Sequence, residues 1–377
     1  MKEIPLVFWS CPENDANLKY CTKFSAPDNI LAIYKDHKWI GVINALEFGR
    51  AQIDSGFDEI LSWEKIFEDA KKRSAPQTSG VQQILLQLLE SWKLNSIQVP
   101  ENFPVKLAFE LTEAGVEVLI AKTPLFSERE TKSPEELDFI RYGNQCSASG
   151  ILKAAQILRD STIGKGGILY YRGKILTSEI VHFHIAVACL EMGAISSNTI
   201  VAGGDQACDP HHHGSGPLKA NELIIVDVFP KVESTGYHGD MTRTFLKGSP
   251  SKEQTSLVEA VRSAQQNAFK KIRSGVTGDE VHKEVQETFT DLNYKTFKDE
   301  KGYKGFFHGT GHGLGLEVHE SPRVSFDAPA LKSGHVITVE PGLYYPGLGG
   351  VRIEDVVVVS KDAYEMLSNC SYDWVIQ

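Results

Sequence analysis

Four acidic residues and one histidine stand inside or beside apolar, β-branched runs, where ionised side chains are unusual. They are Asp227, Asp240, His312, Glu340 and Glu354. Burying an ionised carboxylate is costly unless positive charge neutralises it, and no nearby excess of Lys or Arg offers that charge. An oxygen-rich set with one imidazole suits divalent ions better than a Cys- and His-rich structural zinc site does. The pattern predicts two adjacent divalent cations, with some carboxylates bridging them.

Residues close to these side chains are candidates for orienting them. Because residues two apart in a strand share a face, Thr338 lies beneath Glu340 and Arg352 beneath Glu354. We expect each to donate a hydrogen bond that orients its carboxylate. His312 has glycine on both sides, which lets the backbone approach an ion or ligand closely.

The elements that must position this set lie in residues 131–377. Capping boxes, in which Ser or Thr is followed three residues later by Glu or Gln, predict helices that start at Ser133, Ser251 and Thr277. A fourth helix follows Thr177. Strand-like runs occupy 223–229, 336–340 and 351–359. We predict an α+β domain with helices on a curved, largely antiparallel sheet, in which Asp227 and Asp240 lie on neighbouring strands.

Residues 1–130 form a smaller predicted α/β domain. Strand-like runs occupy 29–34, 39–43, 96–99 and 116–120, and residues 81–92 have helical periodicity. Histidines, cysteines and acids do not cluster in this region. We therefore assign it no chemistry and expect a role in shape or oligomerisation.

Composition narrows the class of protein. The 377 residues are enough for two domains, and 41% hydrophobic and 23% charged residues are ordinary globular values. A net charge of −10 without a basic run argues against binding to nucleic acid or an anionic membrane. No segment approaches the length of a membrane span, and the apolar run at 6–9 is too short for a signal peptide. Six scattered cysteines without a C-x-x-C pair predict reduced thiols in a cytoplasmic protein.

Several C-terminal motifs resemble those of a known family. They are His-Gly-Thr-Gly-His at 308–312 followed by His319, Val-Glu-Pro-Gly at 339–342, and Gly-Val-Arg-Ile-Glu-Asp at 350–355. Together they resemble the creatinase/methionine-aminopeptidase ("pita-bread") metallopeptidases, and above all the Xaa-Pro dipeptidases (prolidases) and aminopeptidase P. The resemblance continues at 200–204, 225–227 and 239–244, and more weakly over a creatinase-like N-terminal domain. The link before Asp240 is longer than is usual in the family, and Phe229 stands where a Gly is usual.

The resemblance implies two divalent ions per subunit, manganese first, with cobalt or zinc as alternatives. Asp240 and Glu354 would bridge the ions, His312 and Glu340 would complete one, and Asp227 would chelate the other. The implied substrates are proline-containing dipeptides or short peptides, and the implied assembly is a homodimer. Two ions bridged by carboxylates could activate a water near neutral pH, and Glu340 is a candidate to take its proton.

The resemblance also implies a substrate-facing group of three histidines, His211, His308 and His319. We favour His211, which follows Pro210, over His212 and His213, which we expect to be solvated. His319 is placed to bond the developing oxyanion or the leaving group, and His211 to contact the scissile amide.

Arg323 resembles the arginine with which dipeptidases bind the free carboxylate of a substrate, a task that suits a guanidinium. The alternative is an ordinary surface arginine. The resemblance of Arg323 favours a dipeptidase over aminopeptidase P, which acts on longer peptides.

Other proteins of this fold are weaker alternatives. Creatinase works without metal, and binding proteins of this fold usually lose ligands, whereas all five ligand positions are filled here. Methionine aminopeptidase does not carry the N-terminal domain.

Overall fold

The computed structural model describes residues 4–72, 79–300 and 302–377. The chain divides into two compact units, Met1–Ser127 and Glu128–Gln377. The sequence places this boundary slightly later, between residues 130 and 131.

The first unit is an α/β unit with a six-stranded mixed sheet. Its strands are β1 (Leu6–Ser10), β2 (Ile30–Lys35), β3 (Lys38–Ile43), β4 (Glu59–Ser62), β5 (Ser96–Val99) and β6 (Glu117–Ile120). Its helices are α1 (Ala16–Thr22), α2 (Phe48–Asp54), α3 (Trp63–Lys71), α4 (Gly80–Trp92) and α5 (Val105–Glu113). The strand order is β4-β3-β2-β1-β5-β6. The predicted runs at 29–34 and 39–43 lie in β2 and β3, which pair as an antiparallel hairpin, and the run at 6–9 lies in β1.

Alternation along the central strands of this sheet fills two cores. Val7 and Leu31 face one core with Leu85 of α4, whereas Phe8 and Ala32 face the other with residues of α1. Both faces of the sheet are therefore covered, and the unit has its own interior.

The second unit has four long helices whose starts the sequence predicts. They are α6 (Pro134–Asp160), α7 (Ser178–Leu190), α8 (Lys252–Lys271) and α9 (Gly278–Asp291). The capping boxes at Ser133, Ser251 and Thr277 are all formed, with both reciprocal hydrogen bonds present. In the described ranges, every helix is too short or too polar to cross a bilayer.

The strands of the second unit form mainly antiparallel sheets. In chain order they are β7 (Thr162–Ile163), β8 (Leu169–Tyr171), β9 (Lys174–Ile175), β10 (Ala194–Ile195), β11 (Ile200–Gly203), β12 (Ile224–Val228), β13 (Lys231–Val232), β14 (Met241–Lys247), β15 (Phe297–Asp299), β16 (Gly302–Lys304), β17 (Gly311–Gly313), β18 (Glu320–Val324), β19 (Val336–Val339), β20 (Gly342–Tyr345), β21 (Gly349–Arg352), β22 (Asp355–Val359), β23 (Tyr364–Met366) and β24 (Val375–Ile376). One sheet has the order β11-β12-β14-β24 and another the order β18-β17-β19-β22-β23, while β20 and β21 form a hairpin. The predicted strand at 351–359 is interrupted, since residues 353 and 354 separate β21 from β22.

Each helix pair covers one of these sheets. Ile151 of α6 and Val181 of α7 pack with Val226 of β12 in one core. Leu257 of α8 and Val281 of α9 pack with apolar residues of β19 and β22 in the other. Helices that pack on largely antiparallel sheets make this an α+β unit, as predicted.

Candidate metal centre

Asp227 and Asp240 are held on neighbouring antiparallel strands, as the sequence predicts. Asp227 lies within β12 opposite Thr242, and Asp240 immediately precedes β14. Both side chains are buried. The long link between them carries β13, which pairs with β10, so its added length forms structure instead of displacing Asp240.

Helix α6 fixes the approach to Asp240. The backbone N–H of Asp240 donates to Asn144 Oδ1 at 3.1 Å. Beside this contact, Gly143 and Gly239 pack backbone against backbone, and a Cβ added to Gly239 would lie 2.0 Å from the carbonyl oxygen of Gly143. Only glycine fits at this approach, so the helix backbone itself determines where Asp240 lies.

His312, Thr338 and Glu340 form a chain of hydrogen bonds. The Thr338 hydroxyl accepts from the backbone N–H of His312 at 3.1 Å and donates to Glu340 Oε1 at 3.3 Å, which is the contact predicted for Thr338. His312 Nε2 lies 3.2 Å from Glu340 Oε1 and 3.8 Å from Asp240 Oδ2. The other ring nitrogen, Nδ1, donates to the Gly313 carbonyl at 3.1 Å. That bond fixes the ring and directs Nε2 towards the carboxylates.

The partner of Glu354 differs from the prediction. The hydroxyl of Thr242 donates to Glu354 Oε2 at 2.7 Å, and Arg352 reaches that hydroxyl with its Nε at 3.4 Å instead of bonding to Glu354 directly. The predicted direct contact between Arg352 and Glu354 is wrong, because the hydroxyl of Thr242 bonds to both side chains. Glu354 itself lies in the break between β21 and β22.

Arg352 instead connects Asp227 to the aromatic side of the site. Its Nη2 donates to Asp227 Oδ2 at 2.7 Å, and its Nη1 donates to the Tyr344 hydroxyl at 3.1 Å. Tyr344 in turn lies 2.9 Å from His308 Nε2. Since His308 Nδ1 faces the Gly309 carbonyl at 2.7 Å, Nε2 is the ring nitrogen that accepts from Tyr344.

Three of the five predicted residues form one buried cluster, the half-buried Glu340 contacts it through His312, and Asp227 is near enough to act on Asp240 through its charge. Ligand atoms of Asp240, His312 and Glu354 all lie within 4.8 Å of one another. Burial raises the pKa of Asp240, and the charge of Asp227 raises it further. Burial also raises the pKa of Glu354, with the charges of Asp240 and Glu340 adding to the effect. The carboxylates therefore repel one another, and the charge of Arg352, which lowers the pKa of Asp240, does not offset this repulsion.

The pKa values of His312 and Glu340 are shifted in opposite directions. Burial alone would lower the pKa of His312, but the hydrogen bond and charge of Glu340 raise it to about 9. Burial alone would raise the pKa of Glu340, but His312 lowers it to about 2. Without a bound cation, a proton on His312 would supply positive charge beside these carboxylates.

The donor set fits a pair of divalent ions. Within the described ranges, Asp227 Oδ1 is buried without a hydrogen-bond partner, so this oxygen has a free lone pair where a cation would find it. His312 Nε2 becomes a ligand once its proton leaves, and its Nδ1 contact is already formed. Carboxylate oxygens with one imidazole suit manganese and similar ions.

Histidines line one side of this cluster. The ring of His319 meets that of His312 edge-on, with centroids 4.3 Å apart. Partial burial and the charge of His312 lower the pKa of His319 to about 4, so its imidazole is neutral at pH 7. Burial lowers the pKa of His308, which is neutral as well. Both nitrogens of His308 already have protein partners, so a bond to substrate would replace one of them, and its substrate role remains a prediction.

Among the three consecutive histidines, His211 is the one near the site. A charge on His211 contributes to lowering the pKa of both His308 and His319. His212 Nδ1 accepts from the Gly214 backbone, and His213 Nδ1 contacts the Asn198 carbonyl. His213 is exposed, as predicted, whereas His212 is half-buried; His211 is itself exposed, and its contact with substrate stays a prediction.

Arg323 lies at the rim of the same site. It is exposed on β18, directly opposite His312 on β17, and its charge contributes to the lowered pKa of His319. Within 4–72, 79–300 and 302–377, its guanidinium has no hydrogen bond or ion pair. The group is therefore available to an anionic part of a ligand.

Three residues that position the site were not predicted from the sequence. Thr242 could have been found by the two-residue alternation from Asp240, since it lies on the same face of β14. Tyr344 and Asn144 gave no such signal, because a tyrosine in an apolar strand and an asparagine in a helix are ordinary residues. Their roles depend on contacts that are distant in sequence.

The stability of the metal-free protein should fall as the pH rises. Asp240, Glu354 and His312 all have raised pKa values, so the folded state holds protons that the unfolded chain releases. The free energy of unfolding should therefore decrease from about pH 3.8, the ordinary pKa of Asp240, to about 9, the pKa of His312. Glu340 has the opposite sign, but its contribution is lost only as the pH falls towards 2.

Chemical denaturation at pH 5.5 and 8.5, with a chelator and with saturating manganese, measures this effect. We expect the decrease with the chelator and a much smaller change with manganese, which supplies the positive charge that the protons provide. Equal pH dependence in the two conditions would contradict a cation at these carboxylates.

Comparison with known proteins agrees with this geometry. The model of metallopeptidase family M24 matches residues 140–361, more than half of the chain. The Xaa-Pro dipeptidase of Pyrococcus furiosus is 36% identical over 173 residues, which cover 45% of this chain and 47% of that protein. An uncharacterised peptidase of Staphylococcus aureus (strain USA300) is 36% identical over 246 residues, 64% of this chain and 63% of that protein. The matched part thus spans about half the length of the curated dipeptidases.

Solved structures match over nearly the whole chain. The X-Pro aminopeptidase from Thermotoga maritima has a TM-score of 0.81 at 22% identity and covers 99% of this chain and 97% of its own. The prolidase from Pyrococcus horikoshii has a TM-score of 0.78 at 24% identity, with coverage of 98% and 95%. At these identities the matches establish the fold, and the pita-bread prediction is confirmed. Because the family model matches more than half of the chain and the ligand set is assembled, the chain belongs to metallopeptidase family M24.

Proposed function

We propose that this protein is a two-metal peptidase that hydrolyses the bond before proline in dipeptides. The observation that carries the proposal is the convergence of Asp227, Asp240, His312, Glu340 and Glu354, with the exposed Arg323 at the rim. Similarity to an Xaa-Pro dipeptidase and to prolidase structures supports the choice of substrate. Manganese is the proposed metal, with cobalt or zinc as alternatives.

When bound, two divalent ions supply a Lewis acid and an activated water at neutral pH. Asp240 and Glu354 would hold both ions, which would relieve the mutual repulsion of these two carboxylates. Asp227, held by Arg352, presents its unpartnered Oδ1. Glu340 is the proposed acceptor for the proton of the attacking water, with the Thr338 hydroxyl holding one of its oxygens.

Neutral His319 has one N–H to donate, and we assign that donor to the developing oxyanion or the leaving group. His211 is assigned to the scissile amide region. A bond to proline is a tertiary amide without an N–H, so selectivity must depend on the shape of the ring and on contacts to carbonyl groups. A pocket lined by histidines fits this requirement better than an array of acceptors does.

Arg323 is the proposed ligand of the substrate carboxylate. In a dipeptide this carboxylate lies on the proline itself, one residue from the scissile bond, whereas in a longer peptide it lies farther away. Cleavage of Ala-Pro and Ala-Pro-Ala with manganese present separates these cases. We expect Arg323→Gln to lower kcat/KM for Ala-Pro by ~100-fold, because a charge-assisted bidentate contact is lost, and for Ala-Pro-Ala by less than ~3-fold.

Arg273→Gln, at an exposed arginine just after α8, is the matched control and should leave kcat/KM for both substrates unchanged. Efficient cleavage of Ala-Pro-Ala with little cleavage of Ala-Pro would favour an aminopeptidase P activity. Activity that survives thorough chelation, or no activity with any divalent ion, would overturn the two-metal proposal.

A homodimer and a cytoplasmic location are further proposals. The location is supported by the six cysteines, none of which forms a disulfide in the described ranges. Sedimentation of the purified protein tests the dimer.

A further inference from the structure

Gln265 is a buried glutamine in the apolar face of α8. Its side chain is fully buried, with Val261, Ala264 and Ala268 as apolar neighbours on the same helix. An apolar side chain of similar size would fill this space without the cost of desolvating an amide. The amide must therefore have a role that packing alone does not supply.

The amide nitrogen of Gln265 contacts the two strand segments that carry Glu340 and Glu354. It lies 3.1 Å from the carbonyl oxygen of Val339 and 3.2 Å from that of Ile353, the residues directly before Glu340 and Glu354. It also lies 3.0 Å from Asp355 Oδ2, immediately after Glu354. One nitrogen thus contacts both strand segments beside the break that holds the glutamates.

The orientation of this amide is fixed by its other end. Gln265 Oε1 accepts a hydrogen bond from the guanidinium of Arg262, so the nitrogen must face the two carbonyl groups. Asp355 is held on its other oxygen by Arg243, whose Nη2 donates to Oδ1 at 2.8 Å. Arg243 Nη1 also donates to the carbonyl of Glu354 at 2.6 Å. Every polar group around Gln265 therefore has a partner, which makes the arrangement rigid.

The ladder between the two segments that carry the glutamates is interrupted at the glutamates themselves. It ends at the pair Val339–Asp355 between β19 and β22 and resumes at the pair Gly342–Arg352 between β20 and β21. Inside this break the backbone N–H of Ile353 lies 3.5 Å from the Pro341 carbonyl oxygen. Gln265 adds a contact from α8 to the carbonyl groups of Val339 and Ile353, one on each segment.

We infer that Gln265 is a positioning residue that sets the separation of Glu340 and Glu354, and so determines how tightly a pair of divalent ions binds. The inference rests on the proposed two-metal function. Outer residues that orient metal ligands typically change metal affinity or activity by 10- to 100-fold when they are replaced. Gln265 differs from such contacts in acting on the backbone of two ligands at once.

Gln254 provides a matched control on the same helix. It is also buried, and its amide nitrogen donates to the carbonyl of Asn221 at 2.9 Å, in a loop that carries none of the five ligands. Gln265→Met and Gln254→Met each remove a buried amide of the same size from α8. Only Gln265→Met should change the binding of the ions.

The test uses the full-length protein titrated with manganese. Calorimetry gives the affinity for each ion, and electron paramagnetic resonance reports the magnetic coupling of a manganese pair. We expect Gln265→Met to weaken binding by ~10- to 100-fold, to change the coupled signal, and to lower kcat with little change in KM. Gln254→Met should lower the Tm of the metal-free protein but keep affinity and signal within ~2-fold of wild type.

Gln265→Glu keeps the shape of the side chain but replaces its donors with acceptors, so it provides a second variant if the methionine variant does not fold. It should weaken manganese binding at least as much. Wild-type affinity and signal in either Gln265 variant, or an equal loss in Gln254→Met, would overturn the inference and leave the two-metal function standing. If wild-type protein binds no pair of ions, the proposed function and this inference both fall.

Discussion

Replacing Asp240 with Asn is expected to lower kcat/KM for Ala-Pro by at least ~1000-fold, about 4 kcal/mol of transition-state stabilisation. The neutral amide cannot bridge two cations, so at least one ion should be lost. The same change should stabilise the metal-free protein at neutral pH, because it removes a buried carboxylate that Asp227 and Glu340 repel. A variant that is more stable and yet inactive would separate a role in the site from a role in folding.

Metal content by elemental analysis, steady-state kinetics and Tm with a chelator measure these effects. Asp362→Asn, in an exposed turn, is the control and should match wild type in all three. Substantial activity in Asp240→Asn would show that Asp240 is not a bridging ligand. A large loss of metal-free stability would indicate instead that the carboxylate serves the fold.

Replacing Arg352 with Met should destabilise the metal-free protein by about 3–5 kcal/mol, the usual cost of leaving one partner of a buried ion pair unpaired. Asp227 would lose the 2.7 Å contact to its Oδ2 while its Oδ1 already has no partner among the described residues. Saturating manganese should recover part of this loss, because a cation at Asp227 replaces the missing positive charge. Activity should fall by ~10- to 100-fold, since the carboxylate is no longer oriented.

Denaturant unfolding with a chelator and with manganese measures how much stability the Arg352 variant loses in the metal-free and in the manganese-saturated protein. Arg141→Met is the control, since Arg141 pairs with Asp138 and Glu365 at the surface and should contribute no more than ~1 kcal/mol. An equal loss with and without manganese would place the cation away from Asp227.

The ligand set could be predicted from the sequence because its members violate a physical rule. Asp227 and Glu340 stand in runs of β-branched residues, where a carboxylate needs a compensating charge, and the compensating partner had to be found elsewhere in the chain. Helix starts could be predicted for a similar reason, since Ser133 and Thr277 carry local signals that do not depend on tertiary contacts.

The contacts that orient the set could be predicted only where the partners are close in sequence. Thr338 bonds to Glu340, one residue past the end of β19, as alternation predicts, whereas the Arg352 guanidinium bonds to Asp227 on a strand distant in sequence. Gln265 and Asn144 are neutral polar residues in helices, and nothing in their local sequence distinguishes them from solvent-facing ones. Their partners are decided by packing between elements far apart in the chain.

The division of the ligands between two sheets has a consequence for folding kinetics. Asp227 and Asp240 belong to the β12–β14 side, His312 and Glu340 belong to the β17–β19 side, and α8 and α9 lie between them in the chain. Contacts so distant in sequence form late, because closing the intervening chain costs entropy that is recovered only when both helix pairs have packed. A metal ion then has no complete site to bind in the transition state for folding. Its stabilisation should appear as slower unfolding, with the folding rate unchanged.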